Sequence, residues 1–247
     1  MTISASQWGL PTASRRALLI HGMTMSSQSW QGVAELLVAD GFFVVAPNLL
    51  GHAGRQSTDY RVSNIAEDLR SYFVMGTSYD VIIGHSFGGP VTLSLLPFLP
   101  KTKDTTVILL DPALEVTEEK LEMNKQLVMN ELARIRTPEE HMAENPAWSR
   151  RDCMSRVLGM ATYDGAGGIE MFRQNTPWSF SGLIKDIPPN VKVTVLVSDP
   201  KFNDILESVP RDVERLNSRV LTGIGHWIQY ELPRAIMDEI PLPRAKL

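Results

Sequence analysis

A serine stands between two glycines directly after an apolar run. In the segment YDVIIGHSFGGPVTL, Ser86 lies between Gly84 and Gly88. Small residues at these two positions let a strand and the following helix approach each other, which is typical of the G-x-S-x-G turn that exposes a nucleophilic hydroxyl. Such a serine can attack a carbonyl carbon and form a covalent acyl intermediate. The setting, after an apolar strand and before a helix, favours this interpretation over an ordinary glycine turn.

A serine hydroxyl is a weak nucleophile near neutral pH unless a base removes its proton. His226 is the candidate base, because it lies in a glycine-rich loop, TGIGHWIQYELP, late in the chain. His85 adjoins the serine, but successive side chains of such a turn point apart. His52 and His141 are interpreted as surface or loop residues.

The attack also creates an oxyanion, which needs preorganised N–H donors. His21 and Gly22 end the first clear strand, and the turn after them can direct the amide of Met23 at the site. Phe87, the residue after the serine, supplies the second amide. Both donors belong to the backbone, so these side chains matter little to this role.

The elements that must position these residues alternate between strand and helix. Five apolar runs rich in β-branched residues, without polar alternation, predict strands that are buried on both faces: RALLI (16–20), FFVVAPN (42–48), DVIIG (80–84), TTVILLD (105–111) and VKVTVLVSD (191–199). Segments with helical spacing of apolar residues lie between the first, second and third of these runs. We therefore expect an α/β fold with a mostly parallel sheet and helices on both faces.

About eighty residues without a strand-like run separate the last two strands. They predict a helical insertion over residues 115–183, between core segments 1–114 and 184–247, with a first helix near 117–136. Its methionines are expected to pack its underside, although a flexible surface facing a ligand is an alternative. Three of its aromatic residues are candidate substrate contacts: Trp148, Phe172 and Trp178.

Composition limits the function classes. The formal charge of -4 and a pI near 5.8 give no basic field for nucleic acid. The single cysteine, Cys153, excludes an internal disulfide framework and is compatible with a reducing compartment. No signal peptide or membrane span is predicted, so we expect a cytoplasmic protein that acts on a small molecule. The C-terminal Ala-Lys-Leu would direct a eukaryotic protein to the peroxisome instead.

Three motifs in this order, the HG turn, the GHSFGG turn and the GHW loop, resemble those of the α/β-hydrolase superfamily, over nearly the whole chain. The resemblance implies a serine–acid–histidine triad, no cofactor and a helical lid. The acid usually follows the penultimate strand, where Asp199 is the best match although serine replaces the usual glycine. Asp111 is the second candidate, because some members take their acid from that earlier strand, and Asp204 is the third.

A serine at this position argues against the branches of the superfamily that use a carboxylate nucleophile. The resemblance therefore implies acyl transfer on an apolar or aromatic ester or lactone. Two alternatives stay open. The same residues could cleave C–C bonds or serve a lyase or biosynthetic step, and the fold could act as a ligand receptor whose lid recruits a partner.

Overall fold

Apolar strands form a central sheet of seven strands in the part of the chain that the structure describes, residues 4–202 and 216–241 of a computed structural model. The strands in chain order are β1 (Ala5–Trp8), β2 (Arg15–Ile20), β3 (Phe42–Pro47), β4 (Val81–His85), β5 (Thr105–Leu110), β6 (Glu115–Val116), β7 (Trp178–Ser179), β8 (Val191–Ser198) and β9 (Leu216–Leu221). The sheet has the order β1-β3-β2-β4-β5-β8-β9. Only β1 pairs antiparallel, so the predicted mostly parallel sheet is confirmed.

Helices cover both faces of this sheet. In chain order the helices, of which α4 to α7 belong to the segment between β5 and β8, are α1 (Gln31–Ala39), α2 (Val62–Leu69), α3 (Gly88–Leu95), α4 (Glu118–Ala133), α5 (Pro138–Glu144), α6 (Arg150–Ala161), α7 (Gly165–Gln174), α8 (Ile228–Glu231) and α9 (Pro233–Met237). The strand β2 shows why its sequence does not alternate. Leu18 and Ile20 enter one apolar core, and Ala17 and Leu19 enter the core on the opposite face.

The helical insertion is also confirmed: α4 to α7 lie between β5 and β8. At its base, β6 and β7 pair antiparallel and form a two-stranded sheet of their own. Thr137 and Ser149 cap α5 and α6 through capping boxes, which explains why the helices begin where the sequence indicated. The division into a core and a separate lid at residues 115–183 stays a prediction.

The expectation that the methionines pack the underside of the insertion is wrong for half of them. Met160 and Met171 are buried, but Met123, Met142 and Met154 are 54%, 39% and 50% exposed. For Met123, the physical reason is that α4, on which it lies, packs loosely and has one buried residue, Leu121. A helix that buries so little apolar surface leaves its long side chains in contact with solvent or with a cavity.

Two expectations concern where the protein acts. Within residues 4–202 and 216–241, no helix combines the length and apolarity needed to cross a bilayer. The C-terminal Ala-Lys-Leu lies outside the described residues, so the peroxisomal alternative stays a prediction.

Candidate active site

Ser86 occupies a strained turn between β4 and α3. Its φ is 52°, in the left-handed region that residues with a side chain rarely adopt. The backbone around it is held on both sides: its N–H donates to Leu110 at 2.9 Å, and its carbonyl accepts from Gly89 at 2.8 Å. A strained conformation that the surrounding hydrogen bonds maintain is frequent at reactive residues.

The flanking glycines are required by close packing. A Cβ on Gly84 would lie 2.3 Å from Oγ1 of Thr92, and one on Gly88 would lie 2.4 Å from the carbonyl oxygen of Ile20. The beginning of α3 therefore packs against β2 and β4 with no room for a side chain. This packing positions Ser86 at the carboxyl end of the sheet.

His226 lies on the loop between β9 and α8 and lines the same cavity as this serine. Its Nδ1 lies 2.9 Å from Oδ2 of Asp111, and the Asp111 side chain is fully buried. A carboxylate can only accept at neutral pH, so Nδ1 carries the proton and donates it to Asp111. In the neutral imidazole, the other ring nitrogen, Nε2, then carries no proton and can act as a base.

Asp111 follows β5 directly and is itself strained, with a φ of 43°. The backbone N–H of Ser198 donates to its second oxygen, Oδ1, at 2.7 Å. Burial raises the pKa of the Asp111 carboxyl, but hydrogen bonds from His226 and Ser198 outweigh this effect and hold the pKa below its usual range. The carboxylate beside the imidazole is therefore ionised.

The structure corrects the preference for Asp199 as the partner of His226. The Asp199 carboxylate accepts from the backbone N–H groups of Gly223 at 2.8 Å and Lys201 at 3.0 Å, and these bonds lower its pKa. Asp199 therefore holds the loop that carries His226, while the imidazole itself pairs with Asp111. The third candidate, Asp204, lies outside the described residues.

His85, next to the serine in the chain, contacts the loop that carries His226. Its Nε2 lies 2.9 Å from the carbonyl oxygen of His226, and the two rings are 4.7 Å apart. Burial, together with the nearby His226, lowers the pKa of His85 to about 3. It is therefore neutral at physiological pH, with the Nε2 proton donated to this carbonyl. The other two histidines that were interpreted as surface or loop residues, His52 and His141, are both buried.

The turn after β2 passes close to the serine, as an oxyanion-binding turn must. A Cβ on Gly22 would lie 3.1 Å from Cβ of Ser86. Among the described residues, the amides of Met23 and Phe87 donate to no protein acceptor. Two unpaired amides beside a serine can bind an oxyanion.

His21 orients the first of these amides. Its Nδ1 lies 2.8 Å from the Gly22 carbonyl oxygen, and its Nε2 accepts from the N–H of Leu49 at 3.1 Å. Only the neutral Nδ1–H tautomer satisfies both contacts, and burial lowers the pKa of His21 to about 4. Because the Gly22 carbonyl and the Met23 amide share one peptide plane, this bond fixes the direction of the Met23 N–H.

A cavity of about 890 Å³ opens above Ser86 and His226, between the sheet and the insertion. Two of the three predicted substrate contacts, Phe172 and Trp178, line it. Much of its opposite wall is one face of α4, where residues recur three or four positions apart: Lys120, Leu121, Asn124, Leu127, Val128 and Glu131. A cavity of this size and lining fits a largely apolar small molecule.

The third predicted contact, Trp148, does not line this cavity. It is buried in a separate aromatic cluster, where its ring lies 5.4 Å from Trp227 and 4.9 Å from Tyr230. Two residues that the sequence did not indicate, Trp227 and Arg156, do line the cavity. The adjacency of Trp227 to His226 was the signal that could have indicated the first of them.

Two further kinds of chemistry, thiol catalysis and metal binding, have no support among the described residues. Cys153 is buried, and burial raises the pKa of its thiol, so it does not have the properties of a reactive thiolate. Within the described part of the chain, no group of three or more histidine, cysteine, aspartate or glutamate side chains is placed to hold a metal ion.

Residues 17–239 match the alpha/beta hydrolase family. Lipase LipV of Mycobacterium tuberculosis is 35% identical over 108 residues, which cover 42% of this chain and 39% of LipV. The uncharacterized protein Rv2715 of the same organism is 36% identical over 94 residues, 37% of this chain and 27% of that protein. The matched segment is thus well under half the length of either relative.

Solved structures of other proteins match the fold over almost the whole chain. A carboxylesterase of the thaumarchaeon Nitrososphaera gargenis has a TM-score of 0.74 at 20% identity, covering 96% of this chain and 91% of that one. The thioesterase domain from the curacin biosynthetic pathway has a TM-score of 0.70 at 20% identity, covering 96% and 93%. At these identities the likeness shows a common fold.

Proposed function

The chain belongs to the alpha/beta hydrolase family, and we propose that it is a serine hydrolase that cleaves small esters or lactones through an acyl-enzyme. In this proposal Ser86 is the nucleophile, His226 the general base and Asp111 the acid. The observation that carries it is the 2.9 Å contact between Nδ1 of His226 and Oδ2 of Asp111, with His226 and Ser86 lining one cavity.

The reaction begins when Ser86 Oγ attacks the carbonyl carbon and His226 Nε2 takes the hydroxyl proton. The imidazolium that forms is stabilised by the ionised Asp111, which keeps its own charge throughout. The developing oxyanion accepts hydrogen bonds from the amides of Met23 and Phe87. His226 then returns the proton to the leaving alcohol, and the acyl group stays on the serine.

Hydrolysis of the acyl-enzyme repeats these steps with water as the nucleophile. His226 takes a proton from the water, whose oxygen attacks the acyl carbon, and the proton returns to Ser86 as the acid leaves. The chain itself supplies every group that this route requires, so the proposed reaction needs no cofactor.

The lining of the cavity favours an apolar acyl group. Phe87, Phe172 and Trp178 form an aromatic wall beside the serine, with ring centroids 5.7 Å apart for Phe87 and Trp178 and 6.1 Å for Phe172 and Trp178. Similar proteins named a lipase and carboxylesterases support ester substrates. We therefore infer a carboxylester or lactone with an apolar acyl chain as the substrate class.

The test is hydrolysis of p-nitrophenyl esters of increasing chain length by the purified chain. We expect a burst of p-nitrophenol equal to the enzyme concentration, and a loss of about a thousandfold or more in kcat for Ser86→Ala. Ser71→Ala, at an exposed serine that does not line the cavity, is the control and should retain full activity.

Other outcomes separate the alternatives. Unchanged turnover by Ser86→Ala would refute the mechanism. An intact ester recovered after long incubation, together with a rise in Tm, would instead indicate the receptor function. Absence of any burst with esters, with turnover of a β-diketone, would indicate C–C bond cleavage.

A further inference from the structure

Arg156, on α6 of the insertion, places a guanidinium in the wall of the active-site cavity. Its side chain is only 5% exposed, yet it lines the same cavity as Ser86 and His226. An arginine on a helix of a lid is ordinarily solvated, so a buried one requires partners that compensate its charge.

The partners of Arg156 come from three different elements. Its Nη1 donates to the carbonyl oxygen and to Oγ1 of Thr24, at 3.0 and 2.7 Å. Its Nη2 donates to Oε2 of Glu131 on α4 at 2.5 Å. The guanidinium also lies over the ring of Trp227, 4.8 Å from the centroid. Only one of these partners, Glu131, carries a formal charge.

The guanidinium keeps unused donors. Of its five N–H groups, two on Nη1 and one on Nη2 donate to the described residues, while Nε–H and the second Nη2–H donate to none of them. A guanidinium presents such neighbouring N–H groups to both oxygens of a carboxylate at once. Because Arg156 lines the cavity, these unused donors can bind a second carboxylate there.

This place is next to the reacting atoms. Thr24 follows Met23, whose amide is the proposed oxyanion donor, and consecutive Cα atoms are only about 3.8 Å apart. Thr24 also donates its hydroxyl to the Met23 carbonyl at 2.6 Å. An ester whose carbonyl oxygen binds the Met23 amide can thus extend a short chain to Arg156.

Glu131 is the present carboxylate partner of Arg156, and an incoming anion would compete with it for the guanidinium. Its side chain is 36% exposed, and it belongs to α4, which has only one buried residue. Among the other charged residues of the cavity, Lys120 is positive and Glu115 negative. Glu131 therefore compensates the charge of Arg156 while the cavity holds no anion.

We propose that Arg156 is a specificity-determining residue that binds a carboxylate carried by the substrate, so that the protein prefers esters of short dicarboxylic acids over neutral esters of similar length. This inference rests on the proposed function for the position of the ester, and it adds a charged recognition group to a cavity whose aromatic wall favours apolar groups.

The experiment compares mono-p-nitrophenyl glutarate with p-nitrophenyl valerate, which carries a methyl group in place of the carboxylate. We expect Arg156→Gln to lower kcat/KM for the glutarate ester at least tenfold more than for the valerate ester. Both substrates use the same oxyanion turn, so any disturbance of Thr24 affects them equally and cancels in the ratio. An unchanged ratio would overturn the proposal.

A second variant gives the opposite effect. Glu131→Gln removes the competing carboxylate, and we expect it to lower the KM for the glutarate ester severalfold relative to the valerate ester. Glu122→Gln, on the exposed side of α4 and outside the cavity, is the matched control and should leave both esters unchanged. Equal ratios in Glu131→Gln and Glu122→Gln would contradict the proposal.

Titration with glutarate itself separates this inference from the proposed function. We expect Ser86→Ala to bind glutarate, measured by calorimetry, and the double variant with Arg156→Gln to bind it at least tenfold more weakly. If no ester is hydrolysed but glutarate binds in this pattern, the proposed function fails and the carboxylate site stands. If valerate esters are hydrolysed but glutarate binds neither variant, the reverse holds.

Discussion

Oδ2 of Asp111 lies 2.9 Å from Nδ1 of His226, although 115 positions separate the two residues in the chain. Asp111 directly follows the strand β5, near the middle of the sheet, and His226 comes from the loop after the edge strand β9. The loop therefore passes over β8 to reach a carboxylate two strands away. Asp199, at the end of β8, holds that loop by accepting the N–H of Gly223.

The first prediction concerns these two aspartates. Asp111→Asn should fold but lose about three to four orders of magnitude in kcat, because the amide no longer stabilises the imidazolium or its productive tautomer. Asp199→Asn should keep kcat within about tenfold, because it only weakens bonds to loop amides. The measurement is kcat for one ester at equal folded concentrations, and a reversed order of the two variants would refute the assignment of Asp111.

The sequence allowed the local part of the site to be predicted, because local sterics determine it. A strand, a turn with two glycines and a helix within fifteen residues leave one geometry for Ser86, and the structure shows its left-handed backbone. Which of Asp111 and Asp199 pairs with His226, in contrast, depends on parts of the chain that are distant in sequence. Both follow buried strands that are neighbours in the sheet, so the path of a loop more than twenty residues later decides which one meets the imidazole.

The sequence also could not predict which side chains of the insertion line the cavity. Trp148 and Trp178 are both buried aromatic residues of the insertion, but of the two only Trp178 lines the cavity. Which one does so depends on how α6 and α7 sit on the core, and no periodicity within a helix specifies that. Arg156 was missed for the same reason, since its partners come from distant parts of the chain.

The second prediction concerns the orientation of the Met23 amide by His21. His21→Asn retains a side-chain N–H near the position of Nδ1 and can still donate to the Gly22 carbonyl, whereas His21→Gln places its amide near Nε2 and cannot. We expect His21→Gln to lower kcat about tenfold or more below His21→Asn, with similar KM, because the bond acts on the transition state. Equal kcat values for the two variants would show that this bond does not orient the amide.

The third prediction concerns contact between the insertion and the turn after β2, the proposed oxyanion-binding turn. A Cβ on Gly159 of α6 would lie 2.6 Å from the Thr24 carbonyl oxygen and 3.0 Å from Cα of Met25. Gly159→Ala should therefore push α6 away from this turn and reduce the free energy of unfolding by about 1–3 kcal/mol. Gly182→Ala, where a Cβ meets nothing within 4 Å, is the control. Denaturant titration should separate the two variants, and equal midpoints would contradict the prediction.

The fourth prediction is the pH dependence of stability. Burial lowers the pKa of His21 to about 4 and that of His85 to about 3, while both titrate near 6.5 in the unfolded chain. Below about pH 6.5 the unfolded chain binds protons that the folded chain does not. The free energy of unfolding should then fall as the pH is lowered, by about 1.4 kcal/mol per pH unit for each histidine, down to the folded pKa.

The check is urea denaturation between pH 6.5 and pH 4.5. His85→Gln keeps a donor for the His226 carbonyl but removes one titrating group, so its slope against pH should be smaller by about 1.4 kcal/mol per unit. The same slope in His85→Gln and the unsubstituted chain would show that His85 binds its proton equally in both states.

The fifth prediction concerns the apolar face of α4 as a wall for the acyl chain. Leu127 is 55% exposed and lines the cavity, whereas Leu158 on α6 is 46% exposed and lies outside it. Both substitutions to glutamine, Leu127→Gln and Leu158→Gln, should therefore leave Tm nearly unchanged, because neither side chain belongs to the core. Only Leu127→Gln removes an apolar contact from a bound ester. A lost contact of about 1 kcal/mol corresponds to about a fivefold rise in KM.

The rise in KM should depend on the length of the substrate. A p-nitrophenyl ester with a long acyl chain reaches α4 from Ser86, while the acetate ester does not, so KM should rise for the octanoate ester and stay constant for acetate in Leu127→Gln. The Leu158→Gln variant should show neither change. If both variants raise KM equally, or if acetate is affected as much as octanoate, the acyl chain does not bind along α4 and must occupy the aromatic wall of Phe172 and Trp178 instead.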